Sequence, residues 1–159
     1  MIRALPLLFA LGACPAVKAS GAEEVFSCPV KNGTKQVLVR LEGDVFQYRF
    51  GTKDRAELEL TAALEDAYTP WAGVGRYIYE SVNFENAGFD YSVYFSVDRN
   101  DLDADPELGL IVTKGDEEVA RLECDPKTGQ SALFDLTVML EENGHCWDFD
   151  NRVWKTCAK

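Results

Sequence analysis

The stretch at residues 75–98, GRYIYESVNFENAGFDYSVYFSVD, constrains the fold of this chain most, because apolar and polar residues alternate along it in two runs. In the second run one side holds Phe89, Tyr91, Val93, Phe95 and Val97, and the other holds Asp90, Ser92, Tyr94, Ser96 and Asp98. In the first run one side holds Ile78, Val82 and Phe84, with Glu80 interrupting it, and the other holds Tyr77, Tyr79, Ser81 and Asn83. A period of two is typical of strands with one buried face, and Asn86-Ala87-Gly88 tolerates the positive φ of a short turn. The stretch therefore predicts a β-hairpin.

Further strand patterns lie on both sides of this hairpin. Residues 25–31, 35–42 and 45–50 predict a three-strand meander with turns at Asn32-Gly33 and Gly43-Asp44. Residues 108–114 and 118–124 predict a second hairpin, and the imperfect alternation of its second strand indicates a β-bulge. Residues 56–63 (AELELTAA) alternate Leu with Glu and predict a strand, with a helix as the alternative because Ala, Glu and Leu are good helix formers.

The last part of the chain changes its period. Leu133, Leu136 and Leu140, with Phe134 and Val138 beside them, predict an amphipathic helix over residues 131–143. Thr128 or Ser131 is expected to cap its start, and Gly144 is expected to end it. The following CWDFDNRVWKTC predicts a hairpin in which Cys146 lies opposite Cys157, Trp147 opposite Thr156 and Phe149 opposite Trp154.

Together these segments predict a mainly β fold, a small antiparallel barrel or sandwich of about eight strands with one C-terminal helix and a disulfide-clasped hairpin. The 159 residues suffice for one domain with a hydrophobic core. We expect residues 20–159 to form that single domain, with residues 128–159 as a helix-plus-hairpin appendage.

The N-terminus is typical of an export signal. Arg3 precedes about ten uncharged apolar residues, a run too short to span a bilayer. Val17-Lys18-Ala19 predicts cleavage after residue 19, whereas Leu11-Gly12-Ala13-Cys14 resembles a bacterial lipobox. The second alternative would remove residues 1–13 and lipidate Cys14. Either one predicts a periplasmic or outer-membrane-associated protein, attached to a membrane only through a lipid on Cys14.

Export makes disulfides feasible, and four cysteines remain once Cys14 is set aside. Three connectivities are open to four cysteines. We favour Cys28–Cys124, which would join the opening strand to the closing strand, and Cys146–Cys157, which would clasp the C-terminal hairpin. The chain contains no CxxC pair and a single His, which speaks against a zinc site.

The chain is strongly acidic, with 16 Lys and Arg against 27 Asp and Glu and a net charge of −11. Removal of residues 1–19 would leave 14 basic residues against 27 acidic ones, a net charge of −13. Such a surface repels nucleic acid and anionic lipid and favours a basic partner. Solubility alone is the alternative explanation.

No pattern indicates catalysis or a cofactor. The only His, His145, has no GxSxG nucleophile to serve, so we predict that the protein is not an enzyme. An acidic loop has a carboxylate at every second position, a pattern that can supply oxygen ligands to Ca²⁺, at Asp101, Asp103, Asp105 and Glu107. This loop departs from the EF-hand at Pro106, where Gly is needed, and at Val112, where the closing Glu belongs. We therefore predict a solvated loop and no metal.

Aromatic residues gather in and around the central hairpin, namely Tyr68, Trp71, Tyr77, Tyr79 and Tyr94. On the side opposite Phe89 and Phe95 they would form an exposed patch that binds a partner. The alternative is that both sides of the hairpin are buried, one by the core and the other by the C-terminal helix.

Several short motifs carry a family resemblance over residues 26–124. They are Phe26-Ser27-Cys28, Gly75-Arg76-Tyr77, the run Thr-Lys-Gly-Asp-Glu at residues 113–117, and Cys124. In these motifs the chain resembles the membrane-bound and periplasmic inhibitors of c-type lysozyme, which are small bacterial β-barrels. In that family a loop Ser and a Lys enter the lysozyme cleft. Lys114 matches the Lys, but Gly73-Val-Gly-Arg-Tyr stands where the family has Ser-Gly-Ala-Arg-Tyr, so the Ser is missing.

The resemblance implies an exported, non-enzymatic envelope protein that inhibits a cationic c-type lysozyme with a loop, and it implies Lys114, Arg76 and Tyr77 as contact residues. A structural or assembly factor of the cell envelope, acting through Trp71 and Tyr94, is the alternative function.

Overall fold

The structure, a computed structural model, describes residues 21–30, 34–101, 103–125 and 127–157. Its elements are β1 (Glu23–Pro29), β2 (Lys35–Glu42), β3 (Val45–Thr52), β4 (Ala56–Ala63), α1 (Leu64–Ala67), β5 (Tyr68–Thr69), β6 (Tyr77–Asn86), β7 (Phe89–Asp98), β8 (Glu107–Lys114), β9 (Glu117–Glu123), β10 (Gln130–Ser131), α2 (Leu133–Glu142), β11 (His145–Asp148) and β12 (Val153–Thr156). The predicted mainly β, antiparallel class is confirmed, and residues 56–63 form a strand, not a helix. The predicted signal segment, Cys14 and the Asn32-Gly33 turn lie outside the described residues.

The strands form two five-stranded antiparallel sheets and one separate hairpin. The first sheet has the order β10-β1-β2-β3-β4, the second has the order β5-β6-β7-β8-β9, and β11 pairs with β12. The sheets are not closed into a barrel, so that alternative of the prediction is wrong. A period of two indicates which side of a strand is buried, but it does not indicate whether the edge strands of two sheets meet.

One hydrophobic core joins the two sheets and the C-terminal elements. Tyr48 on β3 contacts Phe84 on β6, with ring centroids 5.3 Å apart. Helix α2 adds Leu133, Leu136 and Leu140 to the same core, and β12 adds Trp154. The C-terminal elements therefore cover one end of the space between the sheets.

Both predicted disulfides are present. Cys28 bonds to Cys124 and ties β1 of the first sheet to the residue that follows β9 of the second. Cys146 bonds to Cys157 in the C-terminal hairpin. The long bridge is buried in the core, whereas the short one is only half-buried.

The register of the C-terminal hairpin differs from the prediction. Cys146 lies opposite Lys155 and Trp147 opposite Trp154, so the predicted pairings of Cys146, Trp147 and Phe149 are wrong. The side chain of Asp148 explains the shift, because its Oδ1 accepts the backbone N–H groups of Asp150 and Asn151 and closes a four-residue turn. Such a side-chain turn competes with strand pairing and moves the end of the ladder.

The late helix begins two residues after the predicted start. Ser131 pairs with Phe26 in the first sheet as part of β10, so the helix begins at Leu133. The N-cap residue is Ala132, which has no side-chain cap, so the predicted cap by Thr128 or Ser131 is wrong, although the hydroxyl of Ser131 accepts the N–H of Leu133 at 3.2 Å. Gly144, with φ of 85°, follows the helix as predicted.

The β8–β9 hairpin contains the predicted bulge. The register shifts between Val112 and Thr113, which face Ala120 and Glu118. Val119 is therefore unpaired in the ladder and has 45% of its side chain exposed.

Candidate binding face

The outer side of the second sheet carries three residues of the predicted aromatic patch, Tyr77, Tyr79 and Tyr94. The prediction is wrong for Tyr68, which is buried in the core, and Trp71 lies in the segment before β6. The strand register places alternate residues of β6–β9 on this side, away from the core. Its uncharged members are Tyr77, Tyr79, Ser81, Asn83, Ser92, Tyr94, Ser96, Gly109, Ile111 and Thr113. We call these residues, together with the charged residues on the same side of β6–β9, the tyrosine face. The alternative that α2 covers it is wrong, since α2 packs on the core side, where Phe134 contacts Phe95.

Two stacked tyrosines form the centre of this face. The rings of Tyr79 and Tyr94 lie 5.8 Å apart with an interplanar angle of 15°. Tyr79 is 40% exposed and Tyr77 is 48% exposed, whereas Tyr94 is nearly buried. Burial raises the pKa of Tyr79, so its hydroxyl stays protonated at any physiological pH.

Gly109 allows this arrangement, and its role was missed in the sequence. A Cβ atom at this position would clash with the backbone carbonyl oxygen of Leu122 on β9 and would lie 2.8 Å from Cε1 of Tyr94. The missing side chain thus makes the space across which Tyr94 lies. A glycine inside an otherwise apolar strand is the signal that would have indicated a close approach.

Tyr94 also borders an open cleft of about 320 Å³ at the edge of the sheet. Asp105, Glu107, Arg121 and Glu123 provide the charged part of the lining. Arg121 makes two hydrogen bonds to the carboxylate of Glu118, at 3.0 and 2.6 Å, and they lower the pKa of Glu118. Arg121, the one basic residue that lines this cleft, is therefore already paired with Glu118.

Carboxylates dominate the charge of the tyrosine face. Its acidic members are Glu85, Asp90, Asp98, Glu107, Glu118 and Glu123, and its one basic member is Arg121. Arg76 compensates Asp98 and Arg121 compensates Glu118. In the described part of the chain, the other four carboxylates have no cation within 4.0 Å. Exposed tyrosine rings thus share this face with uncompensated carboxylates, Glu107 and Glu123 on β8 and β9 and Glu85 and Asp90 at the turn end of β6 and β7. Arg76 already lies 5.5 Å from the ring centroid of Tyr77.

Three of the predicted partner-binding residues meet at one end of the second sheet. The guanidinium of Arg99 lies 4.7 Å from the ring centroid of Trp71 and donates to the carbonyl of Gly75. Arg76 approaches Asp98 at 2.6 Å, and its hydrogen bond lowers the pKa of that carboxyl group. Tyr77 follows Arg76 at the start of β6, so the structure brings Trp71, Arg76 and Tyr77 together.

Lys114 lies at the opposite end of the same sheet. Its Nζ is 5.2 Å from the ring centroid of Phe89, the first residue of β7, whereas Tyr77 faces Asp98, the last residue of β7. Ten residues of strand separate these ends by about 30 Å. The structure therefore does not combine Lys114 with Arg76 and Tyr77 in one contact loop.

His145 lies on β11, with Nε2 3.7 Å from Oδ1 of Asp44. Within the residues that the structure describes, no group of three or more His, Cys, Asp or Glu side chains is placed to hold a metal ion. No helix of the described ranges is both long and apolar enough to cross a membrane.

Comparisons of this chain with protein-family models, with curated proteins and with solved structures found no match. The resemblance to the lysozyme inhibitors therefore stays a prediction. The function has to be inferred from the residues of the tyrosine face.

Proposed function

We propose that this protein is an exported, non-enzymatic binding protein of the bacterial envelope that recognises a cationic protein through the tyrosine face. The observation that carries the proposal is that one face holds the exposed rings of Tyr77 and Tyr79 together with four uncompensated carboxylates. Two disulfides support an oxidising, exported location.

Tyrosine and carboxylate groups complement a basic protein surface in two ways. A Lys or Arg side chain over an exposed tyrosine ring contributes about 0.5–1 kcal/mol. The carboxylates of the same face attract a cationic partner over longer distances and accelerate the encounter at low salt. Tyrosine is also among the residues that most often dominate the energy of protein interfaces.

A capture experiment with matched variants tests the role of the tyrosines. The purified protein is immobilised and exposed to an envelope extract, and bound proteins are identified by mass spectrometry. We expect Tyr79→Ser to reduce the affinity for a captured basic protein about two- to fivefold. Val45→Ser removes a comparably exposed apolar side chain from the outer side of the first sheet and should leave capture unchanged. Equal capture by both variants would contradict the proposal.

The role of charge is tested in the same assay. The pair Glu107→Gln and Glu123→Gln removes two carboxylates from the tyrosine face, and Glu57→Gln with Glu59→Gln removes two from the first sheet. Only the first pair should weaken capture, and raising the salt concentration should weaken it further. Equal effects would show that the overall charge, not this face, attracts the partner. The identity of the captured protein would also decide whether the role is in envelope assembly.

Inhibition of a cationic c-type lysozyme is a second candidate, favoured by the charge of −11 and by the exposed position of Lys114. Because Arg76 and Tyr77 lie about 30 Å away along the sheet, Lys114 would enter the cleft without them. Lysis of cell walls by lysozyme at low salt provides the test. Unchanged lysis with the protein in excess would reject this candidate, and inhibition that Lys114→Ala abolishes would support it.

A further inference from the structure

Glu80 is a buried carboxyl group in the middle of β6. It lies on the core side of the strand, where it interrupts the apolar row of Ile78, Val82 and Phe84, and only 3% of it is exposed. Its Oε2 accepts a hydrogen bond from the hydroxyl of Tyr68 at 3.0 Å. This bond connects β6 to β5.

Tyr68 connects the same carboxyl group to the C-terminal elements. Its hydroxyl oxygen lies 3.0 Å from the carbonyl oxygen of Leu133 and 2.9 Å from Oγ1 of Thr137, both in α2. Its backbone carbonyl accepts the indole N–H of Trp154, at 3.1 Å. One hydroxyl therefore joins β6 to α2. Its single proton can go to Glu80 or to the Leu133 carbonyl, and the hydroxyl of Thr137 can either accept that proton or donate its own.

The direction of these hydrogen bonds depends on the proton of Glu80. When Glu80 is ionised, Tyr68 has to donate to the carboxylate, and the Leu133 carbonyl receives nothing from Tyr68. When Glu80 takes a proton from solvent, its O–H can donate to the Tyr68 oxygen, and the Tyr68 O–H is free to donate to Leu133. The protonated form thus extends a continuous chain of donors from β6 to α2 and buries no charge.

The elements packed around Glu80 offer no compensating cation among the described residues. Tyr68 faces it from β5, Phe95 lies opposite it on β7, and α2 contributes the negative charge of Asp135. Helix α1 leaves Glu65 and Asp66 exposed to solvent, and β12 contributes the neutral Trp154. Burial is the main cause that raises the pKa of Glu80, the hydrogen bond from Tyr68 lowers it and the charge of Asp135 raises it, and the net pKa is about 7.

We propose that Glu80 is a pH-sensitive switch in which the protonated carboxyl group fastens α2 to the second sheet through Tyr68, and the ionised carboxylate loosens it. The proposal goes beyond the binding function and does not depend on it. The sign follows from linkage, since a group whose pKa is higher in the folded state stabilises that state at low pH. Its stabilisation is complete below the ordinary pKa of Glu and is lost as the pH rises through about 7.

Native-state hydrogen exchange of the α2 amides measures this effect directly. With a pKa of about 7 in the closed state and about 4.5 in the open state, the opening equilibrium should rise about thirtyfold between pH 5.5 and pH 8.5. This comparison uses protection factors, which remove the pH dependence of intrinsic exchange. An opening equilibrium that is the same at both pH values would overturn the proposal.

Two variants assign the effect to the carboxyl group. Glu80→Gln keeps the shape and cannot ionise, so its α2 opening should be independent of pH. Glu59→Gln removes an exposed carboxylate on β4 and should keep the thirtyfold dependence. A pH dependence that persists in Glu80→Gln, or that disappears in Glu59→Gln, would contradict the assignment.

A titration of the wild-type protein keeps the proposal testable if Glu80→Gln does not fold. The ¹³C signal of the Glu80 carboxyl group and the amide signals of α2 should titrate together near pH 7. A Glu80 carboxyl group that titrates near pH 4.5 would overturn the proposal.

Discussion

The two disulfides should differ in what they contribute to stability, because they close loops of very different length. Cys28 and Cys124 are 96 positions apart, and Cys146 and Cys157 are 11 apart. A crosslink stabilises mainly by reducing the entropy of the unfolded chain, and that reduction grows with the logarithm of the loop length. The relation gives about 4.7 kcal/mol for the long bridge and about 2.8 kcal/mol for the short one at 25 °C.

The test compares two double variants with the wild type. Replacing Cys28 and Cys124 together by Ala should lower the free energy of unfolding by about 2 kcal/mol more than replacing Cys146 and Cys157 together. Alanine avoids placing a hydroxyl group at the fully buried Cys28. Urea unfolding followed by far-UV circular dichroism gives both values. A short-bridge variant that loses as much stability as the long-bridge variant, or more, would refute the loop-entropy reasoning.

Two further substitutions test packing around the proposed sites. Gly109→Ala should destabilise the protein by about 1–3 kcal/mol, because the new Cβ would clash with the Leu122 carbonyl oxygen, and it should displace Tyr94, because that Cβ would lie 2.8 Å from the tyrosine ring. Urea unfolding measures the loss of stability, and the near-UV tyrosine signal reports the displacement of Tyr94. Gly21→Ala is the control, because no atom lies within 4 Å of a Cβ at that position. An unchanged tyrosine signal in Gly109→Ala would contradict the close contact. Trp154→Phe should cost about 1–3 kcal/mol in urea unfolding, because it leaves the buried carbonyl of Tyr68 without its donor. A loss below about 0.5 kcal/mol would show that this carbonyl finds another partner.

The sequence predicted best those elements whose period was strict. The hairpin at residues 75–98 has an alternation that only a strand with one buried face satisfies, and the structure contains it as β6 and β7. The register of the C-terminal hairpin could not be read from its cysteines. It depends on a turn that the Asp148 side chain closes, and a disulfide tolerates more than one register.

The candidate site was predictable in part. The tyrosine face follows directly from the alternation of the central hairpin. The separation of Lys114 from Arg76 also follows from the length of the predicted strands, since a ten-residue strand spans about 30 Å. The short motifs of the family resemblance contain no information on this distance. The partners of Glu80 were not predictable, because Tyr68 contacts Leu133 across 65 positions of the chain. The interruption of the apolar row by Glu80 was the only sign of that network in the sequence.

Site-specific photocrosslinking tests the central claim about the tyrosine face most directly. A photoreactive phenylalanine derivative is placed at Tyr79 and, as a control, at Gln47 on the outer side of the first sheet. Crosslinking is carried out in the native envelope at low and high salt. We predict that the probe at position 79 crosslinks a basic protein in a salt-sensitive manner and that the probe at position 47 does not. Equal crosslinking at both positions, or none at position 79, would contradict the account.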